Sequence, residues 1–135
     1  KFTCIHIRRG DFSKVACHLV SISELIKFSI NFSNVCDNVV ILSDEKLDKD
    51  VVKKLKDGGY KKVIFEFGGS PKRAHNIMRH ANVLITSNSQ FSFSAALLSE
   101  NITFIPKKWF SNFRNKPIEL MISNFDSDFN FLNRI

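Results

Sequence analysis

Val39-Val40-Ile41-Leu42 runs straight into Ser43-Asp44. A short unbroken apolar run bounded by polar residues predicts a parallel strand covered on both faces. The next segment, Lys46 to Lys56, carries Leu47, Val51 and Leu55 at four-residue steps and stops at Gly58-Gly59, which predicts a helix with a glycine end. The unit repeats in both directions. Upstream, residues 2–8 read as a buried strand, and Ile22, Leu25, Ile26, Phe28 and Ile30 fall at helical spacing over residues 22–30. Downstream, Val63-Ile64-Phe65 predicts a third strand, and Gly68-Gly69-Ser70-Pro71 turns the chain into a helix over about 72–80. Val83-Leu84-Ile85 predicts a fourth strand, Ser92 to Ser99 a helix, and Ile102 to Ile105 a fifth strand closed by Pro106. Strands alternating with helices predict an α/β fold, an open parallel sheet flanked by helices with right-handed crossovers. Ligands of such sheets sit beyond the carboxyl ends of the strands. Here those ends are His6–Asp11, Ser43-Asp44, Glu66–Ser70 and Thr86–Gln90.

The 135 residues, 44% hydrophobic and 24% charged, suit one folded domain that needs neither metal nor disulfide to hold together. A net charge of +7 and a pI near 9.5 favour anionic partners: nucleic acid, an acidic membrane or a phosphorylated small molecule. No apolar run approaches the roughly 18 residues of a membrane span. No signal-peptide pattern opens the chain. It begins inside the apolar stretch Phe2–Ile7, which leads to the expectation of a fragment of a larger protein. The three cysteines, Cys4, Cys17 and Cys36, match no zinc spacing. They read as buried thiols, with a Cys17–Cys36 disulfide as the alternative in an oxidising compartment. Asn31-Phe32-Ser33 and Asn101-Ile102-Thr103 are candidate glycosylation sequons. Gly-x-Gly-x-x-Gly and P-loop patterns are missing, which disfavours dinucleotide redox and nucleotide triphosphatase chemistry.

The richest chemistry lies in His6-Ile7-Arg8-Arg9-Gly10-Asp11. On a strand, His6 and Arg8 share one face. Arg9 and Gly10 begin the turn, where Gly10 permits a tight path and close approach of a ligand. Arginine presents a planar fork of donors to phosphate oxygens and keeps its charge at any working pH. The competing reading is a surface ion pair of Arg8 or Arg9 with Asp11. Thr86-Ser87-Asn88-Ser89-Gln90 joins a strand to a helix, where hydroxyls and free amides make either an anion site or a helix cap through Asn88 or Ser89. Ser43-Asp44 contacts a ribose or base, or caps the helix beginning near Lys46. Phe91, Phe93, Ala95, Ala96, Leu97 and Leu98 read as helix packing rather than an aromatic platform. Lys72-Arg73 opens a helix and is placed to steer an anion inward. No metal-ligand cluster stands out.

His6-Ile7-Arg8-Arg9-Gly10-Asp11-Phe12 resembles the His-x-Arg-Arg-Gly-Asp-Tyr motif of the α-1,2-fucosyltransferases, glycosyltransferase family 11. Ser87-Asn88-Ser89-Gln90-Phe91-Ser92-Phe93 resembles that family's Asn-Ser-Ser-Phe-Ser-Trp-Trp, and Ile105-Pro106-Lys107-Lys108-Trp109-Phe110 resembles its closing Ala-Pro-Lys-Lys-Trp-Phe. The motifs occur in the family's order, over about residues 2–110. The resemblance implies the Rossmann-like, nucleotide-sugar half of a GT-B-type enzyme. Such an enzyme transfers L-fucose from GDP-fucose to a galactose hydroxyl of a glycan, with inversion and no required metal or cofactor. It further implies that Arg8 grips the diphosphate with Arg9 beside it, that His6 sits near the nucleotide, and that Ser89 and Gln90 lie near the phosphates and ribose. Gly10, Asp11, Ser43, Asp44 and Asn88 would support them, Asp11 chiefly by holding the arginine turn.

Two positions depart from the family pattern. Ala74 stands where the family has an acidic candidate contact to guanine, and Phe93-Ser94 replaces the Trp-Trp pair. The donor domain is expected over residues 1–110, with 111–135 a C-terminal extension packing on it through a short helix at Ile118–Ile122. By the resemblance the parent protein is a single-pass Golgi enzyme with a lumenal domain, its membrane anchor outside this chain. Its partners are GDP-fucose and a galactose-terminated glycan, not nucleic acid. The other readings are a non-catalytic GDP-sugar- or carbohydrate-binding relative and a basic α/β module binding nucleic acid.

Overall fold

The computed structural model describes residues 1–9 and 21–105. Within them the elements run β1 (Phe2–Ile7), α1 (Ile22–Ile30), β2 (Asn38–Ser43), α2 (Lys49–Asp57), β3 (Lys62–Phe67), α3 (Pro71–His80), β4 (Val83–Ile85), α4 (Gln90–Leu97) and β5 (Ile102–Phe104). The strands form one five-stranded sheet in the order β3-β2-β1-β4-β5, and every pairing is parallel. This is the expected α/β architecture. The chain winds from β1 outward to β3, then crosses back to β4 on the other side of β1. The strand order therefore reverses between β1 and β4, the place where open parallel sheets hold ligands.

Both faces of the sheet are covered, which is why its strands read as unbroken apolar runs. Ile5, Ile7, Val39, Ile41, Val83 and Ile85 pack on one face with Leu25, Ile26 and Phe28 of α1 and Val51 and Leu55 of α2. Cys4, Val40, Leu42 and Leu84 pack on the other with Met78 of α3 and Ala95 and Ala96 of α4. His6 lies between Cys4 and Arg8 in sequence, on the α3–α4 side. Tyr60 is buried on the α1–α2 side, where its hydroxyl donates to the Ser29 carbonyl (2.6 Å) and lies 3.1 Å from the Thr3 hydroxyl, tying α1 to β1. Burial pushes its phenol up to about 12.

Element boundaries shift by a few residues from the expectation, each for a local reason. Helix α2 starts at Lys49 rather than Lys46, because Asp48 adopts an extended backbone and its side chain accepts from the Asp50 amide. It ends as expected at the glycine pair. A Cβ on Gly58 would come within 2.5 Å of the Ile30 side chain, and Gly59 has φ 109°, so both positions require glycine. Helix α4 starts at Gln90 rather than Ser92, since the extended residue preceding it is Ser89. Strand β1 ends at Ile7, and β3 extends over Lys62–Phe67 because its whole length registers against β2.

Cys4 and Cys36 are buried free thiols, in keeping with the thiol reading, and burial raises the Cys4 thiol far above its ordinary value. Cys17, Gly10, Asp11, Pro106 and the extension 111–135 lie outside the described residues. The reading of α4 as packing holds for Ala95 and Ala96 but fails elsewhere: Leu97 and Leu98 are exposed, and Phe91 stands out from the core at 37% exposure.

Candidate functional site

The first strand delivers Arg8 and Arg9 to the rim of the sheet, and its two neighbours hold them there. From β4, the Ser87 hydroxyl accepts the Arg8 backbone N–H at 3.0 Å and lies 3.4 Å from His6 Nδ1. From β2, Asp44 Oδ1 accepts the Arg9 backbone N–H at 2.8 Å, while Asp44 Oδ2 lies 3.3 Å from Arg8 Nη1. Ser87 and Asp44 thus fix the backbone of the arginine turn from opposite sides. The sequence offered Asp11 for this task, which lies outside the described residues, and gave Asp44 as a support by resemblance, a contact to a ribose or base, or a helix cap. Asp48 makes the cap instead, and Ser43 Oγ accepts the Glu45 amide at 3.2 Å.

Fixing the turn leaves the Arg8 guanidinium along a cleft of 380 Å³ at the carboxyl ends of β1 to β4. His6 and Arg8 line it from β1, Ser43 and Asp44 from β2, and Glu66 with Gly68-Gly69-Ser70 from β3 and its loop. Pro71 and Ala74 of α3, and Ser89 and Phe91 at the start of α4, close the far wall. His6 is 8% exposed, with its ring set edge-on to Phe91 at 6.0 Å. Burial drives its pKa down to about 4, an effect that Asp44 opposes and Arg8 reinforces. The imidazole is therefore neutral at physiological pH.

The loop after β4 is almost wholly buried, although Thr86, Ser87, Asn88 and Ser89 are all polar. Thr86 Oγ1 is buried without a hydrogen-bond partner among the described residues. Ser89 takes the N-cap position of α4, but its side chain makes no cap bond and lines the cleft. Gln90 opens α4 exposed to solvent, outside the cleft lining, and Arg9 is half-buried and likewise outside it. Arg8, His6, Ser43, Asp44 and Ser89 are thus brought together, and Gln90 and the Arg9 side chain are not. Gly10 and Asp11 fall outside the described residues.

Two cleft residues were given no role in the site from sequence. Glu66 accepts two hydrogen bonds from Arg73, at 3.1 Å from Nε and 2.7 Å from Nη2, and these hold its carboxyl below the usual range. Arg73 is thereby committed to Glu66 rather than to an incoming anion. An acidic residue near a strand end, separated by one residue from the turn that opens at Gly68-Gly69, was the available signal. The other is Phe91, hidden in an apolar helical pattern. The cleft therefore offers a pinned cation and a hydroxyl at the β1–β4 end and a carboxylate at the β3 end. That combination suits an anion joined to a group bearing N–H or O–H donors. Among the described residues, no group of three or more His, Cys, Asp or Glu side chains could hold a metal ion. Nor is any helix among them long and apolar enough to cross a membrane.

The double duty of Asp44 makes a testable prediction. Asp44→Asn keeps an acceptor for the Arg9 amide but removes the charge facing Arg8, so anion affinity is expected to hold or rise up to about threefold. Asp44→Ala removes the acceptor as well, and affinity is expected to fall about fivefold, as loss of one backbone anchor worth about 1 kcal/mol implies. Calorimetric titration with inorganic pyrophosphate, a plain anion, separates the two.

A search of curated proteins returns no match. The family model for glycosyl transferase family 11 matches residues 1–131, nearly the full length. That span contains every residue of the cleft, and with it the chain belongs to glycosyl transferase family 11.

Proposed function

We propose that the cleft binds the GDP portion of GDP-fucose, and that the chain is the donor-binding part of an inverting α-1,2-fucosyltransferase acting on a galactose hydroxyl of a glycan. The observation that carries this reading is the arginine turn fixed by Ser87 and Asp44 at the strand-order reversal. As the fucose–phosphate bond breaks, negative charge builds on the β-phosphate, and a fixed cationic fork stabilises that charge without reorganising. Arg8 supplies the fork, Ser89 a hydroxyl beside it, and neutral His6 a hydrogen-bonding wall that adds no repelling or attracting charge. The reading requires no metal, since the compensating charge comes from the protein.

A second reading is favoured by one observation. Ala74 lines the cleft where the resemblance would set an acidic contact to guanine. A methyl group there accepts no hydrogen bond, which supports a carbohydrate-binding relative with weakened guanine recognition and no transfer activity. Family membership and the exposed sequon residues Asn31 and Asn101 support a lumenal Golgi setting for the parent protein.

Thermal unfolding with GDP, GDP-fucose, UDP and buffer alone tests the donor site. Ligand at about 100 times its dissociation constant adds about 2.7 kcal/mol. For a domain of this size that raises the midpoint on the order of ten degrees. The expected result is a shift with GDP and GDP-fucose and none with UDP. An equal response to all three nucleotides, or to none, overturns the guanine-specific reading.

A further inference from the structure

Beside the donor cleft runs a second, larger depression of 670 Å³ along the outer face of α3. Ser70, Pro71 and Phe91 belong to both, so the two spaces share a wall. The floor of the second is Lys72, His75, Asn76 and Arg79. These positions follow the i, i+3, i+4, i+7 rule and form one stripe on the helix. The opposite face of α3 buries Met78 against the sheet, with Ala74 and Ile77 packed beside it. No acidic residue occurs anywhere in α3.

The stripe has a definite chemistry. Arg73 is occupied by Glu66, but Lys72 and Arg79 make no ion pair among the described residues. Seven residues apart, they stand roughly 10 Å from one another along the helix axis. Between them lie an amide, Asn76, and an imidazole held in place: His75 Nε2 is 3.0 Å from the Ser94 hydroxyl, and its ring packs at 5.4 Å on Phe91. The exposed part of the Phe91 ring completes the wall. An aromatic surface accepts the C–H face of a pyranose, an amide pairs with its hydroxyls, and cations about two sugar units apart take its acidic groups. A uniform polyanion would use the charges alone and leave the ring and amide idle.

We infer that this groove is a binding site for an acidic oligosaccharide, held by Lys72 and Arg79 and stacked on Phe91. As an acceptor subsite this rests on the donor reading above, and it adds that the acceptor glycan carries a carboxylate or sulfate ester near the galactose that is modified. The shared wall at Phe91 sets that glycan directly beside the donor.

The 135-residue chain is titrated with lactose, sialylated lactose, sulfated lactose and an oligothymidylate of matched charge. The expected result is at least tenfold tighter binding of one or both acidic lactoses than of lactose itself. The sialylated and sulfated arms tell carboxylate from sulfate ester. The Lys72→Gln/Arg79→Gln variant should lose this preference and keep the wild-type unfolding shift with GDP, because neither residue touches the donor cleft. Equal binding of neutral and acidic lactose overturns the inference. So does a preference that survives the double substitution, or an oligothymidylate that binds as tightly as the acidic sugars. Loss of the GDP shift in the unsubstituted chain speaks against the donor reading alone, since acidic-sugar binding is read without nucleotide.

Discussion

Arg8→Ala is expected to weaken GDP binding about a hundredfold, with the unfolding midpoint kept within a few degrees of the parent. The two effects separate because Arg8 has two independent jobs. Its backbone N–H donates to Ser87, and alanine keeps that bond. Its side chain lies along the cleft and pairs with Asp44 at 3.3 Å, with more than a third of its surface exposed. A pair that exposed contributes at most about 1 kcal/mol to stability. Charge-assisted bonds from a guanidinium fork to phosphate contribute about 3 kcal/mol, which corresponds to roughly two orders of magnitude in affinity. Arg8→Lys keeps the charge but loses the fork, so an intermediate loss of about tenfold is expected. Calorimetric titration of folded variants is the measurement. Retained GDP affinity in a folded Arg8→Ala protein would remove the arginine turn from the donor site.

Acidification is expected to cost the fold on the order of 3 kcal/mol through His6 alone. In the native chain burial holds His6 at about 4, whereas an unfolded imidazole titrates near its ordinary 6.5. Between those values the unfolded state binds the proton and the native state refuses it. Stability is therefore full above about pH 6.5 and falls as pH drops, by about 1.4 kcal/mol per pH unit at most. It levels once the native imidazole also takes a proton, near pH 4. Arg73 holds the Glu66 carboxyl below its ordinary value, and this solvent-exposed pairing adds little to the slope. Urea unfolding at pH 7.5, 6, 5 and 4 (chosen to span the window) reads the slope. His6→Gln keeps a polar group beside Ser87 without a proton to gain, and its curve should be flatter. Parallel curves for the two proteins would assign the acid sensitivity to other groups.

The sheet was legible in the sequence because covering both faces leaves a strand little choice of residue. Val39 to Leu42 can only be apolar, and so can Val83 to Ile85. The helix starts were harder to read, since Ser89 acts through backbone conformation alone and Asp48 is one of several polar residues near the start of α2 that could cap it. Of the site, Arg8 and His6 were legible from charge and alternation along one strand. Their support was legible only in part, with Asp44 named through the family resemblance and no contact assigned to Ser87. Asp44 and Ser87 meet the arginine turn only because β2 and β4 flank β1, and strand order is a property of the whole fold. An Arg8 or Arg9 pair with Asp11 is local in sequence and lies outside the described residues, whereas the Arg8–Asp44 pair joins two strands. Phe91 was misread because a helical apolar pattern does not say where the helix outruns its neighbours. Glu66 stood in plain sight near a strand end, but its meaning depends on Arg73 in the first turn of α3.

The central position of β1 also sets a clock on synthesis. Phe2 and Asn82 are joined by a hydrogen bond across 80 positions of sequence, and Arg8 depends on Ser87 across 79. At roughly 5–20 residues per second, a ribosome needs about 4–16 seconds to deliver the second partner after the first. During that interval β1 can pair with β2 on one side, while its other edge remains an open template for any passing strand. The arginine turn is among the first parts of this sequence to be made and among the last to take its final shape. A nascent chain halted before β4 would carry the motif without the site, and its unguarded edge would be the place where a chaperone is needed.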